Sequence, residues 1–252
     1  MINCVSAMRE YAPPSNCLAG RVILVTGATG GLGRVAALSM ASHGATVLLH
    51  GRDPAKLEAL YDAIQASGAP EAALLPLDLR RAAMRDFDHL AHVISGQFGR
   101  LDGILHSAVH LEKLSPLADQ TQDEWEHTLK VNLVAPMLLT RACLSLLRAA
   151  KDASIVYTLE QHACAPAPFW GQFAAAGAAL VAAMRIQAQE LDGAPRVNAL
   201  IPGAVNSPLR NETHPGEDPQ TRATPESLMN QYLYLMAADS VGVNGQVFHC
   251  QG

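Results

Sequence analysis

The sequence predicts an α/β fold: a doubly wound, seven-stranded and mostly parallel sheet with helices on both faces. Three observations lead to this prediction. Short β-rich runs alternate with longer helical stretches along the 252 residues. Most of these runs are continuously apolar, as in strands that are covered on both faces. A glycine-rich turn joins the first run to the first helix. Such alternation builds right-handed crossover units. Because the sequence has no internal repeat and no break in composition, we expect a single domain over residues 1–252.

Seven segments have the composition of buried strands. They are Arg21–Thr26, Ala45–His50, Ala72–Leu77, Leu101–His106, Ser154–Thr158, Arg196–Ile201 and Gln246–Cys250. The helical segments lie between them. They are Gly33–His43, Pro54–Ser67, Arg80–Phe98, Thr121–Ala150, Phe169–Leu191 and Pro225–Ala238. Asp53 followed by Pro54 has the pattern of an N-cap and a first-turn proline, which marks the start of the second helix.

Two segments fall outside this alternation. Residues 1–20 form an N-terminal extension that carries Arg9 and Glu10 and lacks the apolar core of a signal peptide. Residues 203–224 follow the sixth strand and are rich in Pro, Asn, Asp and Thr. A loop of this length in a compact domain is usually a lid or a substrate-binding loop, and we expect that role here. A disordered surface excursion is the alternative.

The composition excludes several classes of protein. A formal charge of −5 gives no basic excess for nucleic acid. Apolar runs such as Ala178–Ala183 are far shorter than the ~20 residues that span a bilayer. The five cysteines are scattered and form no CxxC pair, which argues against disulfides and a metal site. We therefore expect a cytoplasmic protein without a nucleic-acid or membrane partner.

Residues 26–33, TGATGGLG, end the first strand and open the first helix. Gly27 permits a tight turn, while Gly31 and Gly33 allow close approach of a diphosphate and of the helix to the sheet. The helix N-terminus adds free N–H groups and the positive end of its dipole. This position predicts a dinucleotide site, in preference to a glycine turn that binds nothing.

The same turn, with PLDL at 76–79, KVNL at 130–133 and IPGAVNS at 201–207, resembles the short-chain dehydrogenase/reductase family from Arg21 to about Gln251. The resemblance implies a Rossmann fold, with Asp78 at the adenine ring and Val205 and Ser207 at the nicotinamide carboxamide. The candidate cofactor-binding residues are Thr26, Gly27, Gly31, Leu32, Gly33, Arg52, Asp78, Leu79, Ser107, Ala108, Pro202, Gly203, Val205 and Ser207.

The end of the second strand, LLHGRD, favours NADP(H) over NAD(H). A site for NAD usually has an acidic side chain here that binds the ribose hydroxyls. Gly51 and Arg52 occupy the turn instead, and a guanidinium suits a 2′-phosphate. Asp53 is either the helix cap or a ribose ligand, and Arg52 is alternatively a solvated charge at the helix start.

The chemistry of the family depends on four side chains. The resemblance implies a tyrosine that donates the proton, a lysine four residues later, a serine thirteen residues earlier and an asparagine. When residues 155–180 are aligned with that pattern, Glu160 replaces the serine, Phe173 the tyrosine and Gly177 the lysine. Asn132 is the only member retained. Because a general acid typically contributes 10²–10⁴-fold in rate, we expect standard hydride transfer to be lost or very weak.

A further departure concerns cofactor affinity. The family has Asn-Asn-Ala-Gly where this chain has HSAV at 106–109, so Val109 stands where a glycine lets the ribose approach. We therefore expect weakened binding of the dinucleotide. Glu160 or one of three histidines could substitute for the missing acid. These histidines are His106, His110 and His162.

Three hypotheses follow. The first is an NADP(H)-binding protein that has lost the proton-transfer residues and binds an unknown small molecule. The second is an active oxidoreductase in which Glu160, a histidine or water donates the proton. The third is a non-catalytic structural or partner subunit. The resemblance implies a homodimer or homotetramer through the helices at 121–150 and 172–184, or pairing with an intact paralogue.

Overall fold

The computed structural model describes Met8 and residues 10–251. Of the predicted N-terminal extension, residues 1–7 and Arg9 lie outside the described part, as does Gly252 at the other end. Met8 is fully buried in the core. The N–H of Leu18 donates to the carbonyl of His43 (3.1 Å), so the described part of the extension is attached to the domain.

The seven predicted strands are all present and form one sheet. They are β1 (Val22–Thr26), β2 (Thr46–Gly51), β3 (Ala73–Pro76), β4 (Gly103–His106), β5 (Ser154–Thr158), β6 (Arg196–Ile201) and β7 (Val247–His249). Their order is β3-β2-β1-β4-β5-β6-β7, and every neighbouring pair is parallel. The sheet is therefore parallel throughout the described residues, not only for the most part.

Helices cover both faces of this sheet, which confirms the predicted fold class. They are α1 (Gly31–Ser42), α2 (Pro54–Ala66), α3 (Met84–Phe98), α4 (Gln122–Leu129), α5 (Ala135–Ala149), α6 (Gly171–Glu190), α7 (Pro208–Thr213) and α8 (Met229–Met236). One apolar core lies between the sheet and α1, α2 and α8. The second lies between the sheet and α3, α5 and α6.

The predicted helix Arg80–Phe98 begins later, at Met84. The N–H groups of Arg81 and Ala82 donate to the carbonyl of Asp78, which forms a turn instead of a first helical turn. The Asp86 carboxylate then accepts the N–H of Ala83 (2.8 Å) and fixes the true start.

The predicted helix Thr121–Ala150 is interrupted by a π-helical turn over Lys130–Val134. Asn132 lies in this turn, and its side chain bonds to the backbone of His110 in both directions. Its Oδ1 accepts the N–H of His110 and its Nδ2 donates to the carbonyl of His110, each at 2.8 Å. A π-turn of this kind often marks a functional position within a helix.

By length and composition, the stretch Gln122–Ala149 could cross a membrane, with a mean hydropathy of 1.3. In this fold, however, its residues Leu139, Cys143 and Leu147 are buried in the second core. The stretch therefore belongs to the packing of the domain.

Two other predicted helices differ at their starts. Phe169 has a φ of 75°, which an L-residue in a helix does not adopt, so the predicted helix Phe169–Leu191 begins at Gly171. The predicted helix Pro225–Ala238 opens with a 3₁₀ turn, Pro225–Leu228, and is α-helical only in α8.

Residues 203–224 are folded, in contrast to the disordered alternative. They contain α7, and Val205 forms an isolated bridge with Ala223. The buried guanidinium of Arg222 donates to Asn211 Oδ1 (2.5 Å) and to the carbonyls of His214 and Glu217 (both 3.0 Å). A central arginine therefore holds this segment together.

Candidate functional site

A cavity of about 710 Å³ lies at the carboxyl edge of the sheet, where ligands bind in open α/β folds. Its volume is in the range of ligand-binding pockets. One end, the cofactor end, is lined by the glycine turn, Arg52 and Asp78. The other, the reaction end, is lined by Glu160, Phe173 and neighbouring side chains. The cavity therefore brings together the two groups of residues that the sequence places far apart.

The glycine turn has the conformation that a diphosphate requires. Gly27 has a φ of +64°, and a Cβ there would lie 2.7 Å from Ala108 Cα. At Gly33 a Cβ would lie 2.2 Å from the Gly27 carbonyl oxygen. Gly31, Leu32 and Gly33 line the cavity at the N-terminus of α1, so backbone N–H groups and the helix dipole are available to an anion.

Thr26 braces the strand ends beneath the cavity. Its Oγ1 accepts the N–H groups of Ser107 (3.1 Å) and Ala108 (3.2 Å), which joins β1 to the segment after β4. Ser107 and Ala108 line the cavity, whereas Thr26 is buried below it. The structure therefore gives Thr26 a supporting position, and its direct contact with a cofactor stays a prediction.

The turn after β2 places both of its charged residues, Arg52 and Asp53, at the cavity. The Asp53 carboxylate accepts the N–H of Lys56 (3.3 Å), which makes it the N-cap of α2. Arg52 is exposed and lines the cavity. Its guanidinium is thus placed to meet an anionic group at the cofactor end.

Asp78 and Leu79 form the opposite wall of this end. One carboxylate oxygen of Asp78 accepts the N–H of Arg80 (3.0 Å), so the local turn holds the side chain in place. Leu79 is almost fully buried beneath it. The pair offers one polar and one apolar contact, as an adenine ring would need.

Residues 202–207 lie over the glycine turn. Gly203 has a φ of +81°, and Gln251 Nε2 donates to the carbonyls of Pro202 (2.8 Å) and Ala204 (3.1 Å). A Cβ at Gly31 would lie only 3.2 Å from the Cβ of Ser207. The predicted contacts in this segment all line the cavity. They are Pro202, Gly203, Val205 and Ser207.

The reaction end carries the substituted positions. Glu160, Phe173 and Gly177 all line it. The Phe173 ring packs against Trp170 with a centroid distance of 5.6 Å. A Cβ at Gly177 would lie 2.8 Å from the Cβ of Ala163, closer than real Cβ contacts. The methyl group of Ala163 therefore occupies space that a lysine at 177 would need, which the sequence alone did not show.

The Glu160 carboxylate caps a short turn, Gln161–Ala163. Its Oε2 accepts the N–H of His162 (2.7 Å). His162 Nδ1 lies 3.0 Å from the carbonyl of Ala165 and donates to it. Glu160 therefore has a local structural partner, and it still faces the cavity.

Two buried histidines stand in register on either side of Thr26. His106 bonds through Nε2 to Thr140 Oγ1 (2.9 Å) and stacks on Tyr157, and burial lowers its pKa to about 3. Within the part of the chain that the structure describes, neither ring nitrogen of His50 has a hydrogen-bond partner, and burial lowers its pKa to about 4. Both rings are therefore neutral at pH 7, and sequence analysis missed His50 because a β-strand histidine carries no special pattern.

A polar cluster lies beside Asn132. His110 lines the cavity and donates through Nε2 to Glu112 Oε1 (2.7 Å). His127 Nδ1 lies 3.8 Å from the same oxygen, and Arg80 donates to His127 Nε2 (2.8 Å). Sequence analysis named His110 and missed its partners, since they come from three separate segments.

Within the described residues, no group of three or more His, Cys, Asp or Glu side chains could hold a metal ion. A dinucleotide, in contrast, fits the residues present. Gly31, Leu32 and Gly33 at the N-terminus of α1 line the cavity, and Arg52 adds a cation to the same lining. Val109 is half exposed at the cavity, so its side chain meets whatever binds there.

The family model described as short chain dehydrogenase matches residues 21–218. The chain belongs to the short-chain dehydrogenase family. Its relatives include the protein named uncharacterized oxidoreductase YciK of Escherichia coli (strain K12), 36% identical over 242 residues, which cover 96% of each chain.

Solved structures of other short-chain dehydrogenases superpose closely. A putative short chain dehydrogenase from Pseudomonas syringae has a TM-score of 0.92 and 37% identity, covering 96% of this chain and 99% of that one. A putative short chain dehydrogenase from Escherichia coli CFT073, complexed with NADPH, has a TM-score of 0.93 and 36% identity, covering 95% and 100%.

Proposed function

We propose that this short-chain dehydrogenase binds NADP(H) and that its Tyr/Lys-dependent reduction of carbonyls is lost or very weak. The observation that carries the proposal is the composition of one cavity. Its cofactor end has a glycine turn and Arg52, while its reaction end has Phe173 and Gly177.

NADP(H) is favoured over NAD(H) for two reasons. Arg52 lines the cavity, and one carboxylate oxygen of Asp53, which also lines it, is engaged as the cap of α2. Relatives with about the same fold are described as complexes with NADPH, in Escherichia coli CFT073, and with NADP, in Shigella flexneri 2a. Val109 lines the cavity where the family has a glycine, so we expect weaker affinity for the dinucleotide than in a glycine-bearing relative.

When bound, the dinucleotide supplies hydride chemistry. Reduction of a carbonyl also needs a proton at the oxygen, and the Phe173 ring has no group that can give one. The Asn132 amide is bonded on both sides to the backbone of His110, which holds the π-turn. Binding and orientation are therefore retained, while delivery of the proton is not.

A second candidate is an active oxidoreductase with another proton donor. The His110–Glu112 pair favours it, because a histidine bonded to a carboxylate is a common general acid–base unit and this one lines the cavity. Glu160 is the other possible donor, although its Oε2 is engaged by the N–H of His162.

Two separate measurements test the proposal. Titration of NADPH, followed by its fluorescence, should show saturable binding. Oxidation of NADPH with a panel of ketones and aldehydes should remain close to the rate without protein. Brisk turnover that persists in Glu160→Gln and in His110→Gln would contradict the proposal, whereas turnover abolished by only one of these would support the second candidate with that residue as donor.

The oligomeric state stays a prediction, and so does the cytoplasmic location. An apolar groove along α6 supports self-association. Its lining includes Leu117, Trp125, Phe169, Ala174 and Ala178. We propose a homodimer or homotetramer that forms through this face. Light scattering would measure the mass of the oligomer. The same face would also serve a non-catalytic partner subunit.

A further inference from the structure

We propose that the reaction end of the cavity binds an organic cation between Glu160 and Trp170, and that the hydride acceptor suited to it is a cationic C=N bond. The inference rests on the proposed NADP(H) site for its redox part and on the cavity alone for its binding part.

The negative charge of the site comes from Glu160. Its side chain is 21% exposed and faces the cavity. Among the described residues, no lysine or arginine nitrogen lies within 4.0 Å of the carboxylate, and the nearest basic atom is His162 Nε2 at 4.0 Å. His162 Nδ1 donates to the carbonyl of Ala165, so this ring nitrogen is engaged by the backbone and not by Glu160. The Glu160 charge is therefore available to a ligand.

Aromatic rings lie next to the Gln161–Ala163 turn, which Glu160 caps. Trp170 packs against His162 (4.2 Å between ring centroids), Phe173 (5.6 Å) and His214 (6.0 Å). Trp170 and Phe173 both line the cavity. Burial, with a contribution from the Arg210 charge, lowers the pKa of His214, so this ring adds no positive charge. A carboxylate among aromatic faces is a combination that attracts cations, through the charge and through the ring quadrupoles.

The positive charges of residues 203–224 do not cancel the preference for a cation. Arg210 lines the cavity, but its guanidinium is paired in two places with Glu217 (2.9 Å and 2.6 Å). Arg222 shares the same carboxylate (3.1 Å). Glu212 adds another carboxylate to the lining. Among the lining residues from Glu160 to Thr213, two carboxylates, Glu160 and Glu212, therefore stand against one cation, Arg210.

One kind of hydride acceptor explains both the absence of a tyrosine at position 173 and the presence of a carboxylate at Glu160. In reduction of a carbonyl, the carbon accepts hydride and the oxygen must accept a proton. In reduction of a C=N⁺ group by a reduced nicotinamide dinucleotide, the carbon accepts hydride and the π pair becomes the lone pair of nitrogen. No proton is required in that step, so Phe173 is adequate where a tyrosine would otherwise be needed.

A matched pair of probes tests the binding part. N-methyl-3,4-dihydroisoquinolinium is a permanent cation, and 1-tetralone is a neutral ketone with a similar bicyclic frame. In calorimetric titrations without cofactor, we expect the cation to bind at least about tenfold more tightly. Glu160→Gln keeps the cap of the 161–163 turn and should remove that preference. Glu190→Gln, an exposed position at the end of α6, should leave it unchanged.

The outcomes separate the two proposals. Equal affinity for the two probes, or a preference for the cation that is unchanged in Glu160→Gln, would overturn the cation site, whether or not NADPH binds. If the cation site is present, NADPH oxidation is then measured with each probe and compared with the rate without protein. A rate above that background with the cation, but not with the ketone, would support a cationic C=N bond as the hydride acceptor. Saturable binding of both NADPH and the cation with no oxidation would overturn that class and leave the NADP(H) site intact.

Discussion

The two ends of the cavity differ in the kind of group on which they depend. The cofactor end depends mainly on backbone: glycine conformation, the N-terminus of α1 and the segment 202–207. The reaction end depends on individual side chains, and three of those expected in the family are replaced. Because different strands carry the two ends, one can lose its chemistry while the other keeps its shape. We therefore expect binding of the dinucleotide and catalysis to be separable in this protein.

The largest expected effect comes from rebuilding the reaction end. Glu160→Ser, Phe173→Tyr and Gly177→Lys together restore the family pattern, but the Ala163 methyl group blocks the new Cβ at 177. We expect a gain of roughly 10²–10⁴-fold in ketone reduction only when Ala163→Gly is added.

The triple variant, which lacks Ala163→Gly, is the matched control. Equal activity in both variants would show that Ala163 does not obstruct the lysine. If the quadruple variant binds NADPH but gains no activity, the cofactor end and the reaction end of the cavity are not separable as we propose.

The next effect concerns pH and the two buried histidines. The folded pKa of His50 is about 4, below its unfolded value, so its contribution to stability is complete above pH ~6.5 and is lost as the pH falls toward 4. Across that window the unfolding free energy should fall by about 3 kcal/mol from His50 alone.

His50→Leu should remove this part of the pH dependence of stability, because a leucine side chain does not titrate. Denaturant titrations at pH 7 and pH 4.5 measure the difference. The contribution of His106 should remain in the variant, and an unchanged pH dependence would show that His50 is not buried as described.

A smaller effect is expected at the glycine turn. In Gly33→Ala, the added Cβ would meet the Gly27 carbonyl at 2.2 Å and displace α1. We expect a loss of about 1–3 kcal/mol in unfolding free energy and weaker NADPH binding. In the control Gly96→Ala, within α3, the Cβ meets no atom within 4 Å, so stability should rise by about 0.5–1 kcal/mol. Normal NADPH binding in Gly33→Ala would refute the backbone account of the cofactor end.

The smallest effect is expected for cofactor selectivity. Arg52→Ala should weaken NADPH binding about tenfold through the lost contact with the 2′-phosphate, and leave NADH binding unchanged. Arg85→Ala, an exposed arginine outside the cavity lining, controls for the change in charge. Equal losses for both dinucleotides would place Arg52 near the diphosphate instead.

Sequence reasoning predicted the strands well and the helix starts less well. The strands are continuous apolar runs whose positions vary by a residue or two from those expected. The helix starts depend on specific hydrogen bonds, such as that of Asp86 to Ala83, and on conformations such as that of Phe169. The π-turn at Asn132 also depends on a bond to a distant segment.

The sequence by itself determined the alternation of strands and helices, the glycine turn and the absence of a phenol and an amine at positions 173 and 177. These features depend on local residue type and spacing. Only the tertiary structure decided that Arg52 and Asp53 both line the cavity, that Ala163 fills the space beside Gly177, and that Trp170 packs against His162 in the turn that Glu160 caps. The physical reason is that contacts between distant segments depend on how the strand ends meet in space, and no local pattern encodes that meeting.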